Sequence, residues 1–231
     1  MRHGEKDAGG KLTDTGTYQA KLRGVSTKNL DGDVLLFHSG VGRVQDTVRT
    51  MAKHLHMSDK KEEFYESGRN IIDYVVPGLH FLVNHDSKGD YHSEWNANEG
   101  SDEYLKHFLE LDWRSPEPGV WYSPRQMAQN FAQIIGIEVR FANMTDMKHV
   151  INIVNGSHEP VLTAFLCYFF QDYNFKSAQF VDDFGGGVNF AESFEIALYN
   201  RTPTDFDVEL TFRGVTKTLD LAATRRFAYA G

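Results

Sequence analysis

A single cysteine in 231 residues, Cys167, excludes any intramolecular disulfide. Its place in the apolar run Val161 to Phe170 makes the thiol a core residue, as expected in a reducing compartment. Long hydrophobic runs are missing too: no stretch reaches the ~18 residues a membrane span requires. No charged n-region followed by an apolar h-region precedes the first motif, so a cytoplasmic location is expected. Positive charge is scarce, with 24 Lys and Arg against 32 Asp and Glu for a net charge of −8. Nucleic acids and anionic membranes need a basic footprint, so neither is an expected partner, and a small molecule is. Repeats and disorder-prone composition are absent, and 41% hydrophobic side chains suffice for one substantial core. A single domain over residues 1–231 is expected, and nothing specifies an oligomer.

Along the chain, Leu12 to Arg23 reads as a helix with Thr13 or Asp14 as its cap and an end near Gly24. Val34 to Phe37 is a short continuous apolar run, the sign of a strand buried on both faces. Ser39-Gly40-Val41-Gly42-Arg43 follows, then Val44, Val48, Met51, Ala52 and Leu55 at helical spacing. Lys60 to Tyr74 looks helical, and residues from about 77 to 121 mix Gly, Asp, Asn, His and Trp as an irregular insertion over the sheet edge. Ser123-Pro124 opens another helix that Gly136 is expected to close. Val150 to Val154 reads as a second buried strand and Pro160 to Tyr168 as a helix beginning at His158-Glu159. Alternating strand and helix imply an α/β fold of three layers, α/β/α, with a mainly parallel central sheet and a ligand site at the carboxyl ends of its strands. From about 188 to 222 apolar residues alternate with period two, including Phe194, Ile196, Leu198, Val208, Leu210 and Phe212. These are antiparallel strands that extend the sheet or form a small flap.

The chain opens Met1-Arg2-His3-Gly4-Glu5, and a second histidine stands in Gly156-Ser157-His158-Glu159-Pro160 after the second strand. One imidazole attacking a phosphoryl group while arginines hold its oxygens would use such residues. Four segments in order, Arg2-His3-Gly4-Glu5, Leu12-Thr13-Asp14-Thr15-Gly16 with Gln19-Ala20, Ser39-x3-Arg43-x3-Thr47, and Gly156-Ser157-His158, resemble the histidine phosphatase superfamily, which includes the cofactor-dependent phosphoglycerate mutases.

The resemblance implies a phosphomonoester hydrolase acting through a phosphohistidine, without metal or organic cofactor, on a small phosphorylated molecule or a phosphoprotein. His3 matches the nucleophile, His158 the second histidine, and Arg2 and Arg43 the arginines that hold the phosphate. Gly4 is expected to let the backbone approach that phosphate. The proton donor is Glu159 in one branch of the family and a glutamate from mid-chain, here Glu63 or Glu66, in the other. A phosphomutase or a non-catalytic phosphate-binding protein would keep the same pocket. Family members place an apolar strand before the Arg-His-Gly triplet, and here only Met1 precedes it. The expectation is therefore either a clipped form of a longer product or a fold that compensates.

Other features carry less. His80, His85, Asp86 and His92 are metal-ligand types, but their spacing matches no compact zinc pattern. Gly185-Gly186-Gly187 leads into a strand and not a helix, so it reads as a turn and not a phosphate cradle. Tyr91, Trp95, Trp113, Trp121 and Tyr122 read as packing for a lid.

Overall fold

The computed structural model describes residues 1–27, 33–55, 71–83, 89–144, 151–202 and 205–230. Where the sequence suggests a single domain, these residues group into two compact units. The first comprises Met1–Leu79, Asp146–His158 and Phe190–Glu192, and the second His80–Thr145, Glu159–Asn189 and Ser193–Gly231.

The first unit is built on a parallel sheet of three strands, β1 (Asp33–His38), β2 (Ile71–Val75) and β3 (Ile151–Gly156), in the order β2-β1-β3. Parallel pairing demands crossovers, and helix α2 (Gly42–His54) lies between β1 and β2 in sequence, while α1 (Asp14–Ser26) precedes β1. Thr13 caps α1, its hydroxyl accepting from the Gly16 amide at 3.0 Å. Helix α2 buries Val44, Thr47, Val48, Met51 and Ala52, one stripe at helical spacing, against β1, β3 and α1. Each of its fully buried aliphatic side chains contributes roughly 1.5–3 kcal/mol. Gly156 permits the contact, because a Cβ there would sit 2.5 Å from Cγ1 of Val48.

Two expectations change here. The apolar run in β1 is not equally buried on both faces: Val34 and Leu36 are buried toward α2, while Leu35 and Phe37 are half-buried. Ile71 to Tyr74, read as the end of a helix, form β2, because pairing with β1 outweighs local pattern. The rest of that predicted helix, and Val150 of the predicted strand, lie outside the described residues.

The segment around Arg2 is held by backbone hydrogen bonds on both sides. On one side Met1 O accepts from the Ser157 amide at 2.9 Å and the His3 amide donates to Ser157 O at 3.2 Å. On the other the Arg2 amide donates to Glu192 O at 2.9 Å and the Ala191 amide to His3 O at 3.1 Å. Residues 1–3 are thus paired on both edges.

In the second unit, α6 (Glu159–Phe170) is buried from Glu159 to Phe169, as an all-round apolar helix must be. Helix α5 (Pro124–Met144) packs against it, with Phe131 and Phe165 rings 4.8 Å apart. Gly136 does not close α5 but lies inside it, since the apolar face continues and outweighs one glycine. The stretch read as an irregular insertion carries two helices, α3 (Tyr91–Ala97) and α4 (Asp102–Leu109), whose Trp95 and Phe108 pack with Trp121. Trp113, by contrast, is exposed. After the short helix α7 (Phe180–Asp183), strands β4 (Glu195–Thr202), β5 (Asp205–Phe212) and β6 (Val215–Thr218) form a separate antiparallel sheet, so they do not extend the parallel one. Leu221, read as part of a strand, opens helix α8 (Leu221–Ala228), capped by Asp220 and packed on α5.

Candidate active site

Three segments of the first unit bring the expected residues together. Arg2-His3-Gly4 is the paired N-terminal stub. His38 to Arg43 runs from the end of β1 through a tight turn into the first turn of α2, and Ser157-His158 follows β3. Parallel strands release their chains at the same sheet edge, so the carboxyl ends of β1 and β3 place Ser39 and His158 beside one another.

His3 and His158 are both buried, and their rings meet edge to face with centroids 5.3 Å apart. His3 Nδ1 lies 2.8 Å from its neighbour's carbonyl, Gly4 O. A carbonyl only accepts, so Nδ1 carries the proton and Nε2 keeps its lone pair. Nε2 in turn accepts from Arg43 Nε at 3.2 Å. Burial, then the charge of Arg43, and less those of Arg2 and Lys6, hold the His3 pKa well below the ordinary 6.5, against the opposing hydrogen bond to Gly4. The ring is a neutral base with a defined tautomer, as a nitrogen nucleophile must be.

Arg43 also reaches His158, with Nη2 3.4 Å from Nδ1. A guanidinium only donates, so in the neutral ring Nδ1 accepts and Nε2–H donates to Ser39 Oγ at 3.0 Å. Arg2 is buried with its guanidinium 4.0 Å above the centre of the Phe190 ring, and that ring also lies 5.8 Å from His3. Cation–π packing of this kind fixes the plane of the fork without consuming its N–H groups. Two guanidinium groups and two imidazoles are thus brought together.

Gly4 also has a packing role. Its amide donates to Thr47 Oγ1 at 3.0 Å, and a Cβ there would stand 2.4 Å from Gly16 O. The missing side chain therefore lets the His3 segment pack on the start of α1. Thr47 Oγ1 also donates to Arg43 O at 2.7 Å, tying the first turn of α2 to the His3 loop.

Glu159 is the first residue of α6 in the second unit and is buried. Within that unit a Cβ on Gly187 would meet its Oε1 at 2.9 Å, so the glycine leaves room for the carboxyl group. Glu63 and Glu66 lie outside the described residues, as do His85 and Asp86. Of the other metal-ligand types in that stretch, His80 and His92 lie parallel to Phe81, at 4.6 Å and 5.9 Å, and His80 Nδ1 accepts from the Leu82 amide at 2.9 Å. Among the described residues no three His, Cys, Asp or Glu side chains gather as a metal would require, and no helix is long and apolar enough to cross a membrane.

Sequence reasoning named His3, Arg43 and His158 but gave no role to Ser39, Thr47 or Phe190. Ser39 and Thr47 belong to the segment Ser39-x3-Arg43-x3-Thr47. Phe190 reaches Arg2 only through tertiary pairing, and no local pattern announces it.

No protein-family model matches the chain, and no curated protein sequence does. Solved structures do match along nearly its whole length. A protein described as mycobacterial hydrolase 1 is similar over 94% of this chain and 96% of its own, with 14% identity and a TM-score of 0.57. A mycobacterial glucosyl-3-phosphoglycerate phosphatase with inorganic phosphate covers 93% and 94%, at 16% identity and a TM-score of 0.57. The α-ribazole phosphatase of Shigella flexneri covers 95% and 92%, at 16% identity and a TM-score of 0.50. The chain shares the α/β fold of these solved structures.

Proposed function

We propose that the chain is a phosphomonoester hydrolase that works through a phosphohistidine on His3. The observation that carries this reading is the side chain of Arg43, which donates at once to Nε2 of His3 and Nδ1 of His158. A phosphoryl group placed at His3 Nε2 would have its equatorial oxygens beside that guanidinium, with Arg2 on its Phe190 platform as a further donor and the His158 ring alongside. Charge on those oxygens is what catalysis of phosphoryl transfer must stabilise, and a planar fork matches it better than a lysine.

In the first step the His3 Nε2 lone pair forms the N–P bond as the ester P–O bond breaks, and the departing oxygen takes a proton from an acid. In the second, water attacks phosphorus, the N–P bond breaks and the acid recovers its proton, which splits one difficult displacement into two. Glu159, joined directly to His158, is the residue assigned as that acid. The Nδ1–H bond to Gly4 O holds the imidazole in the tautomer the attack needs. Solved neighbours of similar fold are named as phosphatases of glucosyl-3-phosphoglycerate and α-ribazole, which favours a small phosphorylated molecule as substrate.

The test is phosphate release from an activated aryl phosphate at mildly acidic pH by the wild type and by His3→Ala. Turnover that disappears in the variant, with a phosphorus NMR signal for N-bound phosphate in the quenched wild type, is expected. Turnover that survives His3→Ala would reject the mechanism. Isomerised substrate in place of free phosphate would make the protein a mutase.

A further inference from the structure

Val34, Leu36 and His38 share one face of β1, and all three are buried. The first two are apolar, as that face requires. An imidazole at the third position is costly unless its nitrogens meet polar groups, and here each faces one. Nε2 lies 2.6 Å from Asp73 Oδ1 on β2, and Nδ1 accepts from the Gly40 amide at 3.1 Å. An amide only donates, so a neutral ring carries its proton on Nε2, the nitrogen that faces the Asp73 carboxylate.

Asp73 is itself held. Arg49 Nε donates to its Oδ2 at 2.6 Å and Gln45 Nε2 at 3.3 Å, both from α2. Burial alone would raise its pKa, but these donors and His38 outweigh it and keep the carboxyl below its ordinary value. Gly40 has φ of +84°, so the turn that follows β1 is one only a glycine adopts easily. Between His38 and Gly40 stands Ser39, fully buried, with its Oγ 3.0 Å from His158 Nε2.

We propose that His38 is a positioning residue. Anchored by Asp73, it fixes the Ser39-Gly40 turn through the Gly40 amide, and the Ser39 hydroxyl then sets the orientation of the His158 ring. The inference rests on the reading of His158 as part of the phosphate site, but its structural half stands apart from turnover. His38 touches no reacting atom; it acts through two intermediaries on one that does.

The two bonds of His38 can be separated by substitution. His38→Asn retains an acceptor for the amide two residues on, as asparagine does in turns, but loses the reach to Asp73. His38→Gln retains a donor for Asp73 and loses the turn bond, and His38→Leu loses both. Each variant would be assayed for kcat and KM with an aryl phosphate, for thermal stability, and for the proton–nitrogen NMR signal of His158 Nε2–H. His38→Leu and His38→Gln should lose about ten- to a hundredfold in kcat, as misplaced groups do, while His38→Asn recovers most of it. The His158 signal should shift in the first two and persist in the third. An unmoved His158 signal in His38→Leu would overturn the proposal, and so would losses that follow melting temperature alone. A wild type without turnover would reject the phosphohistidine reading, while the NMR series would still decide the positioning role.

Discussion

Arg43 Nε donates to His3 Nε2 across 3.2 Å, so the atom assigned to attack phosphorus and the cation assigned to hold its oxygens are in register before any ligand binds. One side chain at the first turn of α2 thus serves both imidazoles. Arg43→Lys keeps the charge but cannot present two N–H groups in one plane. Its kcat/KM for an aryl phosphate should fall by about a hundredfold, more than the loss of a point charge would give. Retention of near-native kcat/KM in the lysine variant would mean that Arg43 contributes charge only.

The same contact sets a pH dependence. Burial first and Arg43 second keep the folded pKa of His3 well below 6.5, the value expected of the unfolded chain. Between those two pKa values the unfolded state binds more protons than the folded one, so stability rises with pH through that window. The contribution is fully present above 6.5 and is lost as pH falls through the range beneath it. An NMR titration should find the His3 ring neutral at mildly acidic pH. In Arg43→Gln its midpoint should move up, and an unchanged midpoint would show that the arginine charge does not reach it.

Gly4 offers a test of packing against chemistry. A methyl group there would meet Gly16 O at 2.4 Å, and overpacking of this kind costs about 1–3 kcal/mol. Gly4→Ala should lower Tm by roughly 2–4 °C for each kcal/mol. If the glycine mattered only for approach of a phosphate, the variant would keep its Tm and lose affinity for vanadate.

Much of this was legible in the chain. The helical stripe of α2, the Thr13 cap and the order of strand, turn and helix around Ser39 follow from local periodicity and capping, which act over a few residues. His3, Arg43 and His158 could be named because their neighbours form recognisable segments. β2 was not legible, because Ile71 to Val75 becomes a strand by pairing with β1, a contact that no local pattern encodes. Asp73 was hidden with it, and so was the partner that makes His38 intelligible. Phe190 follows the same rule: its position under Arg2 depends on backbone pairing between residues almost two hundred apart in sequence.

The proton donor can be decided by leaving group. Departure of an alkoxide needs a proton in the transition state, whereas an activated aryl oxide leaves without one. Glu159 follows His158 directly and is buried at the start of α6. Glu159→Gln is close in size and keeps hydrogen-bonding groups but cannot deliver a proton as an acid. With an alkyl phosphate its kcat should fall by about 10²–10⁴-fold, the usual contribution of general acid catalysis, and with an aryl phosphate far less. Addition of a more acidic leaving group should therefore rescue the variant progressively, so that its rate depends on leaving-group pKa more steeply than the wild type's. Equal losses on both substrates would move the role to another acid, and Glu63→Gln and Glu66→Gln would be the next variants to compare on the same pair of esters.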